Sequence, residues 1–377
     1  MTDVSTKRED MIPAEVHGRR LQAMRGEVLR LMDDVVSNGV YHAGPHTERL
    51  ERDVQETWGG HVVAASSGTM ALETAVRALG LGPGDEVIVP TLTFPATAFA
   101  VAAAGATTVF ADIDPVTRTL TAETVEAALT PRTRAVVPVH MYGLMADMTA
   151  LSALAQRYAI SVIEDCAQAA GATCHGRHAG TFGDFGCFSL WVGKNFGGLG
   201  DAGLVLTSDE SLLPQVRMLL NLGRDKDRDI HHLRGSRGRI AETDAAVAAH
   251  QLPLLPDWIN QRRHHAHRYN EAFGDLPLTL PADAEGRPHT YYKYPVTAPT
   301  EQDAGRLSEA LKNAGVKAEQ LYPYRVQEQP AFRDLPFRQT ETSAAADLLP
   351  RTLCLPIAPE HTTDEIDRVI TAVRNSF

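Results

Sequence analysis

Cysteine is scarce in this 377-residue chain: four residues, at positions 166, 174, 187 and 354, with no CxxC pair among them. That spacing argues against a disulfide scaffold and the usual zinc motifs, and it predicts reduced, buried thiols in a cytoplasmic protein. Basic charge is also in short supply. Lys and Arg number 36 against 47 Asp and Glu, a formal net charge of -11, which disfavours a general nucleic-acid binder because phosphate contacts need a basic surface. No apolar run suits a membrane span. The most apolar stretch, 96–111, is rich in Ala and Thr and broken by Gly105, and is expected to be a buried helix running into a strand. The first ten residues hold no apolar core of the signal-peptide kind. Repeats, heptads and low-complexity tracts are missing too. What remains, at 44% hydrophobic and 22% charged, is an ordinary globular composition on a chain long enough for one large and one smaller domain.

Short β-branched runs alternate with helical patterns through the first two thirds. Apolar positions at helical spacing over 15–35 predict an amphipathic leading helix, and a second helix covers about 46–58. Strands are expected at 62–65, 86–89, 107–111, 135–139 and 161–165, with a helix at 147–157 between the last two. Such alternation implies an α/β fold with a mostly parallel sheet, and ligands then collect at the carboxyl ends of the strands. Ser67, Phe94, His140 and Asp165 all fall just past such ends. After about residue 255 the texture changes: prolines punctuate it, a strand is expected at 291–296, and amphipathic helices cover 301–315 and 363–377. The expected division is a large α/β domain over 1–250 and a smaller α+β domain over 251–377.

The stretch ending at Lys194 carries the chemistry. Asp165 leaves an apolar strand, and some thirty residues later Lys194 sits in a loop with glycines at 193, 197, 198, 200 and 203. A lysine so placed can form a Schiff base with an aldehyde, and a carboxylate can hold a protonated pyridine nitrogen; pyridoxal phosphate (PLP) chemistry needs both. The turn Ser66-Ser67-Gly68-Thr69 entering a helix is an anion site or, equally, a plain N-cap. Other signals favour plainer readings. Asp112 and Asp114 suit turn chemistry at Asp-Pro better than a metal, His264, His265 and His267 suit a solvated helix face, and no metal site is expected. Arg224 to Arg239 is either a loop contacting an anionic ligand or a solvated one.

The motifs together resemble the DegT/StrS family of PLP-dependent aminotransferases. The resemblance rests on Ser67-Gly68-Thr69-Met70-Ala71-Leu72, Gly82-Pro83-Gly84-Asp85-Glu86-Val87, Thr93-Phe94-Pro95-Ala96-Thr97 and Phe110-Ala111-Asp112-Ile113-Asp114-Pro115. It continues through Pro138-Val139-His140-Met141-Tyr142-Gly143, Glu164-Asp165-Cys166-Ala167-Gln168, Gly193-Lys194-Asn195 with the glycines that follow, and Tyr322-Pro323. It implies a PLP-dependent transferase of fold type I, with a seven-stranded, mainly parallel large domain, a small C-terminal domain, and a homodimer whose active sites lie at the subunit interface. It also implies transfer of an amino group from glutamate or glutamine to a keto group of a nucleotide-linked sugar, a cyclitol or a related compound. On this resemblance Lys194 holds the cofactor and shuttles the proton, Asp165 pairs with the pyridinium nitrogen, Phe94 stacks on the ring and Gln168 lies beside it. Gly68, Thr69 and Ser189 bind the phosphate.

The departures fall on the substrate side. Arg237 stands where the family often has an asparagine reaching the partner subunit's phosphate, so it addresses either that phosphate or an anionic substrate. Trp191-Val192 replaces a Tyr-Pro pair, and Leu321 replaces a histidine before Tyr322. These positions are expected to contact substrate. They also motivate an alternative: PLP chemistry of another kind, such as elimination, dehydration or bond formation on a non-sugar compound. Family members that deoxygenate sugars carry histidine in place of the lysine, and Lys194 speaks against that branch. A non-catalytic binding protein on the same fold would be expected to lose Lys194 or Asp165; both are present.

Overall fold

A computed structural model describes residues 11–225 and 229–377; the expectation made for the first ten residues lies outside them. Seven strands form the body of the sheet: β1 His61–Ala65, β2 Glu86–Pro90, β3 Thr107–Ala111, β4 Thr133–Val136, β5 Ser161–Asp165, β6 Phe185–Ser189 and β7 Gly203–Thr207. Of these, β1, β2, β3 and β5 match the expected runs closely, whereas β6 and β7 have no counterpart among them. Apart from Arg134 in β4 the seven strands are largely buried on both faces, and buried parallel strands tend to read as apolar runs. An eighth, β8 Phe337–Gln339, joins the far edge, so the order is β1-β7-β6-β5-β4-β2-β3-β8. The expected seven-stranded sheet thus has eight. The extra strand is three residues long, has no buried face and is pinned by Arg338 to Glu86 (2.8 Å), so it leaves no apolar alternation to detect. Only β7 runs antiparallel, to both β1 and β6.

Two further differences have local causes. The leading helix is two helices, His17–Ala23 and Arg25–Asn38, meeting at Met24; Gly18 and Gly26 are weak helix formers on either side of the join. Strand β4 stops at Val136, short of the expected 139. Pro138 has no N–H for the ladder, and Val139 makes only an isolated bridge to Asp165.

Apolar side chains pack on both faces of the sheet, one group around Leu50, Ile88 and Phe188, the other around Val87, Phe110 and Phe185. A third group, including Tyr269, Phe273, Tyr294, Leu307 and Ile366, is built from the C-terminal part around the antiparallel pair Tyr294–Thr297 and Thr352–Leu355. Chain order and core membership cross twice. Ile12 belongs to that C-terminal core, whereas Val326 and Phe332 return to the sheet. All four cysteines are buried and free. Among the described residues no helix is long and apolar enough to cross a membrane.

Candidate active site

The parallel strands deliver their carboxyl ends to one cavity of about 700 Å³, lined by Gly68, Thr69, Phe94, Asp165, Ser189 and Lys194 among others, a volume suited to a cofactor with its substrate. At the end of β1, Ser67 caps the helix Gly68–Ala78 through its hydroxyl, which accepts from the Met70 N–H (3.1 Å). The N-cap reading holds, and Gly68 and Thr69 at the same helix end line the cavity. Gly68 is there for space. A Cβ on it would lie 2.7 Å from the Ser189 Cβ, so glycine lets this helix end abut the end of β6.

Asp165 ends β5 and is buried at 4% exposure. The Thr97 hydroxyl donates to its Oδ2 (2.7 Å) and the Ala167 N–H to its Oδ1 (3.1 Å). Burial pushes this carboxyl up from its ordinary range, while Thr97, the Ala167 amide, Lys194 and His140 pull it back. Thr97 was visible within the Thr93-Phe94-Pro95-Ala96-Thr97 motif, but nothing in the motif marked its hydroxyl as Asp165's partner. Phe94 lines the same cavity with 60% of its surface exposed, a large aromatic face left open.

Lys194 lies in a turn closed by its own N–H to the Trp191 carbonyl (2.8 Å). Its Nζ stands 4.7 Å from the centre of the Tyr292 ring, within cation–π range. Tyr292 was missed; the expected strand at 291–296 gave no sign of which tyrosine faces the site. Its position comes from a clamp: Thr290 N–H donates to Gly143 O (3.0 Å) and Lys293 N–H to Tyr142 O (3.2 Å). Gly143 has φ +103, and a Cβ there would meet Tyr292 N at 2.9 Å, so only glycine fits.

The opposite wall comes from distant parts of the chain. Trp191, Glu15, Glu319, Leu321 and Tyr322 line it. Lys293 Nζ bridges Glu15 (2.8 Å) and Glu319 (3.2 Å). Burial would lower this ammonium, but Tyr292, Glu15 and Glu319 outweigh that and hold its pKa high. Gln168 does not line the cavity; it braces the wall, accepting from the Tyr142 N–H (2.8 Å) and donating to the Tyr322 hydroxyl (2.7 Å).

Arg237 and His140 also lie off the lining of this protomer's cavity. Arg237 is exposed, tied by a backbone bridge to Asn221 and away from the lining. His140 lies beneath the site, fully buried, with Nε2 3.0 Å from Glu164 and Nδ1 accepting from the Ala146 N–H. His140, Glu164 and Cys166 place ligand atoms within 4.8 Å of one another, yet Glu164 already accepts from the amides of Gly180, Phe182 and Gly183. That saturation makes the trio a buried brace rather than a metal cradle. The plainer readings elsewhere mostly hold. Asp114 accepts from Val116 and Thr117 within its turn, and Asp112 caps the helix Ser343–Leu348 through the Ala344 and Ala345 amides. His264 and His267 are exposed, but His265 is buried, a correction to the solvated face; it sits one helical position round, beside the core residues Ala266 and Tyr269. In the Arg224 to Arg239 loop, residues 226–228 lie outside those described.

The donor set suits PLP. A buried carboxylate, a lysine amine, an open aromatic face, and a helix N-terminus beside a serine hydroxyl surround one cavity, and Gly68 keeps clear the space a Cβ would fill. Comparison with known proteins agrees. The model of the DegT/DnrJ/EryC1/StrS aminotransferase family matches residues 22–374. The chain is 39% identical to the UDP-N-acetyl-3-dehydro-alpha-D-glucosamine 3-aminotransferase of Acidithiobacillus ferrooxidans, across 94% of this chain and 95% of that one. It superimposes on S. venezuelae DesV, solved in complex with a ketimine intermediate, with a TM-score of 0.92 and 36% identity over 97% of this chain and 98% of that one. It likewise resembles NtdA from Bacillus subtilis, solved with bound cofactor PMP, at a TM-score of 0.89 and 28% identity, covering 97% and 85% of the two chains. The chain is an aminotransferase and belongs to the DegT/DnrJ/EryC1/StrS family.

Proposed function

We propose that this chain transfers an amino group from glutamate or glutamine to the keto carbon of a nucleotide-linked sugar, with Lys194 and Asp165 as its catalytic residues. The observation that carries this is the meeting of Lys194, Asp165, Ser189 and the Gly68–Thr69 helix end in one cavity. Bound PLP supplies an aldehyde that carries nitrogen between donor and acceptor and a ring that accepts electrons. Lys194 would hold the cofactor through its Nζ, and the same amine would move a proton there. Asp165, dry and oriented by Thr97, keeps a partner nitrogen protonated; a cationic partner recovers the free energy that burying the carboxylate costs. Gly68 and Thr69 amides and the Ser189 hydroxyl bind phosphate at a helix N-terminus. Relatives named as UDP- and dTDP-sugar transaminases support the nucleotide-linked sugar.

On this reading the enzyme is a homodimer. The exposed apolar residues Leu29, Met32 and Val36 on one helix and Tyr41 beyond it support a covered face, and Arg237, exposed here, would serve the partner's site. Purified protein should be yellow, and Lys194→Ala should lose the visible absorption together with on the order of 10⁴-fold in rate. A colourless protein that takes up no PLP would sink the reading. The Glu15–Lys293–Glu319 set on the far wall keeps a second reading alive, a non-transamination reaction on a non-sugar compound. Conversion of bound PLP to its amine form by glutamate or glutamine alone separates the two. Failure with every common amino donor would favour the second.

A further inference from the structure

Arg20 precedes the stretch that the family model matches, which begins at residue 22, yet its side chain is only 4% exposed. Its Nη1 donates to the carbonyl of Lys194 (3.0 Å) and to that of Asn195 (3.2 Å). Its Nε donates to Glu360 (2.6 Å), and its guanidinium carbon lies 4.5 Å over the Trp258 ring. Burying a guanidinium is costly before pairing, and an apolar residue would fill the space without that cost. The arrangement makes sense if the geometry it imposes is what matters.

The lysine turn is held from two sides. Its amides are met by the helix Glu242–Gln251: Asp244 Oδ1 accepts from Leu199 (2.8 Å) and Gly200 (2.9 Å), and Gln251 accepts from Gly197 (3.2 Å). Its carbonyls at 194 and 195 are met by Arg20; among the described residues no backbone amide bonds to either. The segment carrying Arg20 is itself fastened to the C-terminal part at four places. Ile12 bridges Val316, the Pro13 carbonyl lies 3.0 Å from His361 Nε2, Glu15 pairs with Lys293, and Arg19 pairs with Glu365 (2.6 Å).

We propose that Arg20 is a positioning residue for Lys194. Its forked guanidinium fixes the main chain at 194–195 and so sets where the Lys194 amine stands over Tyr292, while Glu360 stops the guanidinium from rotating away. Through Glu360 the placement of the lysine is tied to the packing of the C-terminal part. The role rests on Lys194 being the cofactor lysine.

The test uses full-length protein loaded with PLP, read by the pH titration of its visible absorption and by kcat and KM for the amino donor. Arg20→Lys keeps the charge but loses the fork, so it should move the titration midpoint and lower kcat by about 10- to 100-fold, with KM within about threefold; displacements near 1 Å cost that much. Arg20→Gln should behave alike. Glu360→Gln should shift the midpoint in the same direction by less, and it carries the test if both Arg20 variants fail to fold. Arg19→Gln removes the neighbouring pin and should leave midpoint and kcat unchanged. An unmoved midpoint in Arg20→Lys, or in Glu360→Gln where the Arg20 variants do not fold, overturns the positioning role. So does an equal shift in Arg19→Gln, which would mark general loosening. A wild-type protein without Lys194-dependent absorption overturns the cofactor reading and this role with it.

Discussion

The two walls of the cavity are held by different means. The cofactor wall is made of strand ends and their next turns, so each group is fixed by the sheet: Asp165 closes β5, Ser189 closes β6, and Ser67 follows β1. The opposite wall joins positions far apart in sequence. The Glu15–Lys293 contact spans 278 residues, and its partners are side chains rather than ladders. The first wall is specified by local chain geometry and tolerates little. The second depends on how the N-terminal segment and the C-terminal part dock, and its chemistry is free to vary with the substrate.

Substitutions on the first wall should therefore cost more, and cost it in the chemical step. Asp165→Asn keeps shape and the Thr97 contact but removes the charge. A loss of about 10²–10³-fold in kcat is expected, the range for removing one preorganised electrostatic partner, with the protein still folded. Stopped-flow measurement of the half-reaction with the amino donor checks it; a change below tenfold would break the assignment of Asp165. Gly68→Ala tests packing. Its Cβ would lie 2.7 Å from Ser189 Cβ and 3.0 Å from Ser189 Cα, and overpacking of this kind costs about 1–3 kcal/mol. Thermal melting should show the loss in cofactor-free protein, and loaded protein should bind PLP less tightly.

The second wall should respond differently. Glu319→Gln leaves Lys293 paired with Glu15 and changes only the charge offered to substrate. The donor half-reaction should stay within about twofold, while KM for the keto substrate changes by about tenfold, the scale of one altered polar contact. Equal effects on both half-reactions would erase the distinction between the walls.

The same distinction explains what the sequence made legible. Strands β1, β2, β3 and β5 were readable because buried parallel strands are continuous apolar runs, and the cofactor wall followed because its residues sit at fixed offsets from their ends. Tyr292, Glu15, Lys293 and Arg20 were not legible. Each is defined by a partner far along the chain, and no local pattern marks a glutamate that will meet a lysine across a fold. Thr97 is intermediate: its motif was visible, its hydrogen bond to Asp165 was not. Strand β8 escaped notice for a related reason, being placed by Arg338 and Glu86 rather than by apolar alternation.

The smallest predicted effect concerns pH, where the walls should differ in sign. Hydrogen bonding from Arg19 holds the Glu365 carboxyl down to about 2 from its ordinary 4.5, against the opposing pull of burial. A carboxyl lowered on folding contributes stability that is present above its unfolded value and lost as pH falls through its folded one. The N-terminal fastening should therefore weaken between about pH 4.5 and 2. Asp165 is raised instead, chiefly by burial; in cofactor-free protein its contribution is present at acid pH and lost as pH rises through its folded value. Arg19 is 45% exposed, so solvent screening limits its pair to about 1 kcal/mol or less. The difference in melting temperature between wild type and Arg19→Gln should be level above about pH 5 and shrink toward pH 3, and 1 M salt should reduce it throughout. Asp165→Asn should show the reverse slope, gaining on cofactor-free wild type as pH rises from 3 to 7. If both differences ran the same way with pH, the two walls would not be held by the different electrostatics described here.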